Sequence, residues 1–232
     1  MSSIAIISDI HGNINALDAV LKDIAKREIK TTYCLGDLVG YYCYFNEVVD
    51  RIRESGIPSI LGNHDYAFVN TGGVIDRSKT CTKILHWQIE HAKTTTGIFL
   101  QSLPDKLVVD HADKSILFVH GGLQDPVDEY LFDVNEEYFS ENNFIHDVLV
   151  TGHTHLICYK KFYSGKTWIN PGSVGQPRDG NNRASYIIIN ENFDVNFIRV
   201  KYDFLSVIKK MEELGFEKYI SEPLITGRKI GL

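Results

Sequence analysis

The chain has no long apolar run, no basic tract and no paired-cysteine motif, and each absence closes off a class of function. No stretch approaches the roughly 20 apolar residues of a bilayer-spanning helix, so no membrane role is expected. The opening segment Ser2-Ser3-Ile4-Ala5-Ile6-Ile7 has no basic n-region, and its apolar run is too short for a signal peptide. A cytoplasmic protein is expected. Lys and Arg number 24 against 30 Asp and Glu, a formal charge of −6, so tight binding to duplex nucleic acid through many phosphate contacts is not expected. Cys34, Cys43, Cys81 and Cys158 form no C-x-x-C pair, which argues against a thiolate zinc site and for reduced thiols. No repeat or low-complexity segment is visible. What remains is 232 residues, 44% of them apolar, enough for one domain (1–232) with a buried core.

The pattern along the chain is strand, helix, strand, helix, strand, then hairpins. Ile4 to Ser8 reads as a buried strand, and Leu17, Val20, Leu21 and Ile24 then fall at helical spacing, with Asn13 or Asn15 as cap. Thr32 to Leu35 and Pro58 to Leu61 read as further strands around a helix at Glu47 to Arg53. This order predicts a parallel sheet with crossover helices. From about Tyr66 to Pro104 the apolar spacing predicts two or three helices, read as an insert that overhangs the site. After Pro104, strands are expected at Lys106–Asp110, Ser115–Val119, Val148–Val150, Cys158–Tyr163, Thr167–Ile169, Ser185–Asn190 and Val195–Lys201. A helix over Phe204–Leu214 closes the pattern, and the tail after Gly215 has no periodicity.

Five polar clusters stand where these strands should end: Asp9-Ile10-His11, Gly36-Asp37, Gly62-Asn63-His64-Asp65, His120-Gly121-Gly122 and Gly152-His153-Thr154-His155. Ligands at strand ends can converge on one edge of a sheet without disturbing its interior. Asp9 and His11 are two apart, which in a strand puts both on one side; His153 and His155 repeat the spacing. A carboxylate such as Asp37 can bridge two cations, Asn63 offers a neutral oxygen, and His64 is a candidate proton donor that Asp65 could orient. His86, His91, His111 and His146 lie outside the clusters and are read as structural or exposed. Together the clusters could fill two adjacent metal sites, a device suited to phosphate esters.

The order D-x-H, G-D, G-N-H-D, H-G-G, G-H-T-H resembles the calcineurin-like metallophosphoesterase superfamily. Ser8-Asp9-Ile10-His11-Gly12-Asn13 and Asn170-Pro171-Gly172-Ser173-Val174-Gly175-Gln176-Pro177-Arg178 are similar to its small prokaryotic phosphodiesterase-type branch. The resemblance implies an α/β fold of four layers, in which two facing mixed β-sheets are flanked by helices. It implies one metal on Asp9, His11, Asp37 and His155, and another on Asp37, Asn63, His120 and His153, with Asp37 as the bridge. The implied cofactors are two divalent ions, manganese, iron, nickel, cobalt or zinc. The implied reaction is hydrolysis of a phosphodiester or phosphomonoester by a hydroxide held between the metals, with His64 as proton donor. The partner is then a small phosphate ester, nucleotides included; an oligomer is compatible with it. A protein phosphatase, or a non-catalytic scaffold on the same fold, is the alternative. No Arg stands between Asp37 and Arg51, where protein phosphatases of this superfamily carry a phosphate-gripping one. Arg178 is the candidate phosphate clamp instead, Asn170 is expected to hydrogen-bond near the site, and Pro171-Gly172 reads as a turn. The ring-rich loop Tyr41-Tyr42-Cys43-Tyr44-Phe45 could stack on a nucleobase or aryl leaving group, but packing under the helix that follows it is the expectation.

Overall fold

The computed structural model describes residues 3–70 and 79–230. Residues 71–78 of the expected helical stretch, and Leu232 at the tail's end, lie outside the described residues.

β1 (Ile4–Ile7) shows why the first strand reads as an unbroken apolar run: both of its faces are buried. Ala5 and Ile7 face α1 (Ile14–Lys26) and the helix over Phe45–Glu54, while Ile4 and Ile6 face a second sheet. Side-chain alternation along a strand divides them this way. α1 starts where Asn13 accepts a hydrogen bond from the Ala16 N–H, and it buries Ala16, Leu17, Val20 and Ile24. β2 (Thr31–Cys34) pairs with β1 in parallel, and α2 (Phe45–Glu54) buries Phe45, Val48, Val49 and Ile52 on the same layer.

The expected third strand at Pro58–Leu61 does not form. Only one bridge, Cys34 to Ser59, links it to β2. Leu61 donates instead to the Pro104 carbonyl at 2.7 Å, and the chain turns at Gly62 into α3 (Asn63–Val69). The other side of β1 is taken by a strand from the far end of the chain, antiparallel, so the first sheet is mixed. Two helices follow, α4 (Lys79–Glu90) and α5 (Thr94–Gln101).

β3 (Lys106–His111) and β4 (Lys114–Val119) form the expected hairpin. α6 (Glu136–Glu141) was not anticipated, although Asn135 followed by two glutamates is a helix-start signal. β5 (Val148–Val150), β6 (Ile157–Lys161) and β7 (Thr167–Pro171) complete a five-stranded sheet in the order β3-β4-β5-β7-β6. β8 (Ala184–Ile189) and β9 (Val195–Val200) complete the first, in the order β2-β1-β8-β9. α7 (Phe204–Glu213) is followed by a 3₁₀ turn, Lys218–Ile220, and by α8 (Pro223–Thr226). These last turns are too short to carry a period, yet Ile220 and Leu224 are buried against Tyr42, Val207 and Met211.

The sheets face each other across Ile6, Leu35, Phe118, Val150, Ile169 and Ile187. Leu117, Val119, Leu149 and Trp168 look the other way, onto Phe139 of α6. Helices, sheet, sheet, helix make four layers, as expected. No helix of the described residues is long and apolar enough to cross a membrane. β1 and β2 are parallel, as are β4, β5 and β7, so their C-terminal ends open onto shared edges.

The loop at Asn170–Arg178 is laid against the β1–α1 turn. Val174 N–H donates to Ser8 O and Gly175 N–H to Asp9 O, each at 2.9 Å. A Cβ on Gly175 would stand 1.8 Å from the Ile10 carbonyl oxygen. Gly175→Ala is therefore expected to destabilise the fold by about 1–3 kcal/mol, the usual cost of forced overpacking. Urea unfolding checks this; a midpoint equal to that of the wild type would mean the loop shifts freely.

Candidate metal centre

Six side chains, Asp9, His11, Asp37, His120, His153 and His155, meet in one buried cluster, none more than 2% exposed. They fall into two groups that share Asp37: Asp9, His11, Asp37 and His155 in one, Asp37, His120 and His153 in the other. The shared atom is Oδ2 of Asp37, 3.5 Å from His11 Nε2 and 3.3 Å from His120 Nε2. Asp9 Oδ1 lies 3.2 Å from His155 Nε2.

The side chains converge differently from the strand-alternation expectation. β1 ends at Ile7, and Asp9 and His11 have positive φ, 55° and 52°. Asp37, His153 and His155 share that left-handed backbone, at 53°, 67° and 61°. The conformation costs non-glycine residues about 1–3 kcal/mol each, least for Asp, Asn and His. Hydrogen bonds between loops hold it in place. Ile10 and His11 both donate to Asp37 O at 2.9 Å, and Gly12 donates to Leu38 O at 2.8 Å. The His153 N–H donates to Asp9, 3.2 Å from either oxygen.

The imidazoles are fixed from behind. Nδ1 of His11 donates to Val39 O (3.0 Å), Nδ1 of His120 to Leu35 O (2.7 Å) and Nδ1 of His155 to Gln176 O (2.6 Å). A carbonyl oxygen can only accept, so each neutral ring turns an unprotonated Nε2 inward. Nε2 of His11 and Nε2 of His155 are then two lone pairs 3.0 Å apart. They repel unless a cation sits beside both, so the donor set fits a metal ion. All the donors are oxygen or imidazole nitrogen, a set that suits transition metals.

The electrostatics agree. Burial holds the His11 pKa well below its ordinary value, and burial with the Arg178 charge lowers His155. Burial likewise takes His153 down to about 2. These rings are neutral and ready to coordinate. Burial alone would raise both carboxylates; at Asp37 the charge on His120 outweighs it, and both sit below the usual carboxylate range. For His120 the Asp37 charge overcomes burial and raises the pKa to about 9.

The remaining expected residues are close by. Asn63 Oδ1 lies 3.1 Å from His120 Nε2. The His64 N–H donates to Asp37 Oδ1 at 2.8 Å, and its ring centroid lies 4.8 Å from that of His11. Burial lowers its pKa. Gly40 makes room for it, since a Cβ there would meet His64 Nδ1 at 2.4 Å. Both Asp65 oxygens accept from backbone, Oδ1 from Leu38 and Val39 and Oδ2 from Gly62, so it ties the Asp37 loop to α3. Arg178 donates to Tyr41 Oη at 3.1 Å and to Gln176 Oε1, and its charge reaches His64 and His155.

Other contributors were missed in the sequence. Phe45 is buried with Val48 and Val49 of α2, but Tyr42 is buried against Val207, Met211 and Ile220 instead of under that helix, and the Tyr41 ring lies 4.7 Å from that of His11 and 5.0 Å from that of His64. Gln88 of α4 is fully buried; it accepts from Gly40 N–H and donates to Tyr42 O. A glutamine on the apolar face of a helix was the available signal. Asn170 was not missed: as expected it hydrogen-bonds near the site, donating to Gly152 O at 2.6 Å and supporting the His153 turn.

The comparisons with known proteins fit this geometry. The model of the calcineurin-like phosphoesterase superfamily domain matches residues 2–192. The chain belongs to the calcineurin-like phosphoesterase superfamily. An uncharacterized protein of Methanocaldococcus jannaschii is 36% identical, over 98% of this chain and 99% of its own. A metallophosphoesterase crystal structure from Sphaerobacter thermophilus is 30% identical with a TM-score of 0.83, covering 97% of this chain and 99% of that one. A hypothetical protein from Pyrococcus horikoshii shares the fold with a TM-score of 0.89 at 21% identity, covering 99% and 100%. Family, fold and clustered donors together make this a phosphoesterase-family protein with residues arranged for a metal site.

For such a phosphoesterase, chelation is expected to lower Tm, and returning the metal should raise it. A cation at 100 times its dissociation constant stabilises by about 2.7 kcal/mol. Calorimetry with and without chelator checks this; an identical Tm would mean that the buried donors gain nothing from a cation.

Proposed function

We propose that the chain hydrolyses small phosphate esters at a dinuclear metal site, with phosphodiesters or phosphomonoesters as substrates. The observation that carries this reading is the single Asp37 oxygen facing an imidazole nitrogen of each ligand group. Asp9, His11, Asp37 and His155 would hold one ion, and Asp37, Asn63, His120 and His153 the other. Two such cations would polarise the phosphoryl oxygens and lower the pKa of water at neutral pH.

The protein's own part is positioning, exclusion of water and proton delivery. The Val39, Leu35 and Gln176 carbonyls behind the rings keep the histidines aimed, so little reorganises during reaction. His64 lies outside both ligand groups and beside them, and is the proton donor to the leaving oxygen in this reading. Burial disfavours its charged form; an anionic phosphate against the ring favours it again. Asp65 enters as a positioning residue, and Arg178, with Tyr41, as the clamp on a phosphate oxygen. Residues 1–232 are read as one domain with a helical insert at about 66–104, and Gln88 is where that insert reaches the site loop.

The test is a panel of aryl and alkyl monoesters and diesters. The protein is stripped and reconstituted with manganese, iron, cobalt, nickel or zinc, and its native metal is counted by elemental analysis. Turnover with about two ions per chain is expected. A fully loaded protein that cleaves none of the esters would point to a binding role on the same fold.

A further inference from the structure

Beside the second ligand group lies a pair of rings that the reaction above does not use. Tyr130 sits against His153, ring centroids 3.7 Å apart, and Phe132 stacks on Tyr130 at 5.7 Å with the planes 10° apart. Both rings are open to solvent, Tyr130 at 45% and Phe132 at 68%. Leu131 between them is buried with Val134 and Phe139, so its neighbours project together on the outer side.

The segment is held at both ends. Before it, Glu129 Oε2 accepts from Gln124 N–H and from Tyr138 O–H, and Tyr138 Oη accepts from Leu123 N–H at 2.6 Å. The turn closes on Gly121 and Gly122, where an added Cβ would stand 2.5 Å from Glu129 N and 2.2 Å from Glu129 Oε2. After it, Lys160 binds Asp133 and the Val134 carbonyl. Two exposed rings on an anchored loop bury little apolar surface of their own, so packing does not account for them. Fixed, parallel and solvent-facing rings are what a planar ligand group stacks on, with little ordering cost on the protein side.

The geometry points to Tyr130 and Phe132 as a stacking platform that selects phosphate esters carrying a planar aromatic group, a nucleobase or an aryl ring. This deepens the phosphoesterase reading and rests on it: the phosphate is held at the metal cluster, and the ring of the ester lies on the platform. Stacking is tolerant of which ring it receives, so the platform discriminates ringed from unringed esters rather than one base from another.

The test uses the manganese-reconstituted full chain. Affinities for AMP, phenyl phosphate, methyl phosphate and inorganic phosphate are measured by titration calorimetry in the wild type, Phe132→Ala, Phe132→Tyr and, as a distant exposed ring, Tyr163→Ala. AMP is expected to bind tighter than methyl phosphate. Phe132→Ala should cut that preference on the order of 10-fold, while Phe132→Tyr and Tyr163→Ala should keep it. Phenyl phosphate should rank with AMP; ranking with methyl phosphate would overturn selection by ring. Equal binding of AMP and methyl phosphate, or a preference that survives Phe132→Ala, would overturn the platform. Hydrolysis is measured separately: a ring preference without turnover would sink the phosphoesterase reading and leave the platform standing.

Discussion

Asp37→Asn is expected to lower turnover on the order of 10³-fold and to reduce the bound metal from two ions to one or none. The substitution keeps size and shape, and the Oδ1 position can still accept the His64 N–H, so local folding is retained. What it removes is the negative charge at Oδ2, the atom that faces both His11 and His120. A neutral amide oxygen does not bridge two cations well. Losing one metal forfeits several kcal/mol of transition-state charge stabilisation, and about 4 kcal/mol corresponds to a thousandfold. The measurements are metal content by elemental analysis and kcat/KM on an aryl diester. A variant that holds two ions and turns over normally would show that Asp37 is not the bridge.

The chain exposes its layers plainly and its backbone geometry hardly at all. β1 is legible because both faces of Ile4–Ile7 are buried, which leaves no polar residue to blur the run. α1 is legible from Asn13 and the spacing of Leu17, Val20 and Ile24. Pro58–Leu61 misleads because its composition suits a strand, but pairing with β2 stops after Ile60 donates to Cys34 O, since the next N–H on that side, Gly62, donates to Asp65 Oδ2. The local pattern pointed to a parallel first sheet because β8 reaches β1 from far along the chain; its mixed order was implied by the family resemblance alone.

The cluster residues could be found because Asp, Asn and His at strand ends have few packing roles. How they converge could not. Alternation would have served for D-x-H, but the chain uses left-handed backbone at Asp9 and His11, stabilised by the Asp37 loop that no local pattern predicts. The supporting groups divide likewise. Gln88 was missed although a polar residue on an apolar face was there to be read, whereas Tyr41 and Tyr130 look like any aromatic until their rings are placed beside His11 and His153.

His64→Ala is expected to slow hydrolysis by about 10²–10⁴-fold for esters with alkyl leaving groups. A p-nitrophenyl ester should lose much less, because p-nitrophenolate departs without needing a proton. The ring belongs to neither ligand group, so metal content should stay at the wild-type value. Its position is fixed by its own N–H on Asp37 and by the space that Gly40 leaves, features that removal of the side chain does not disturb. The informative quantity is therefore the slope of log kcat/KM against leaving-group pKa, which should steepen in the variant. A proton donor protects the rate when the leaving group is poor; a residue that only grips phosphate helps every ester alike. An equal loss on alkyl and p-nitrophenyl esters would reassign His64 from proton delivery to phosphate positioning. That result would also pass the proton-donor role to another group, with Tyr41 the nearest candidate, its ring 5.0 Å from that of His64.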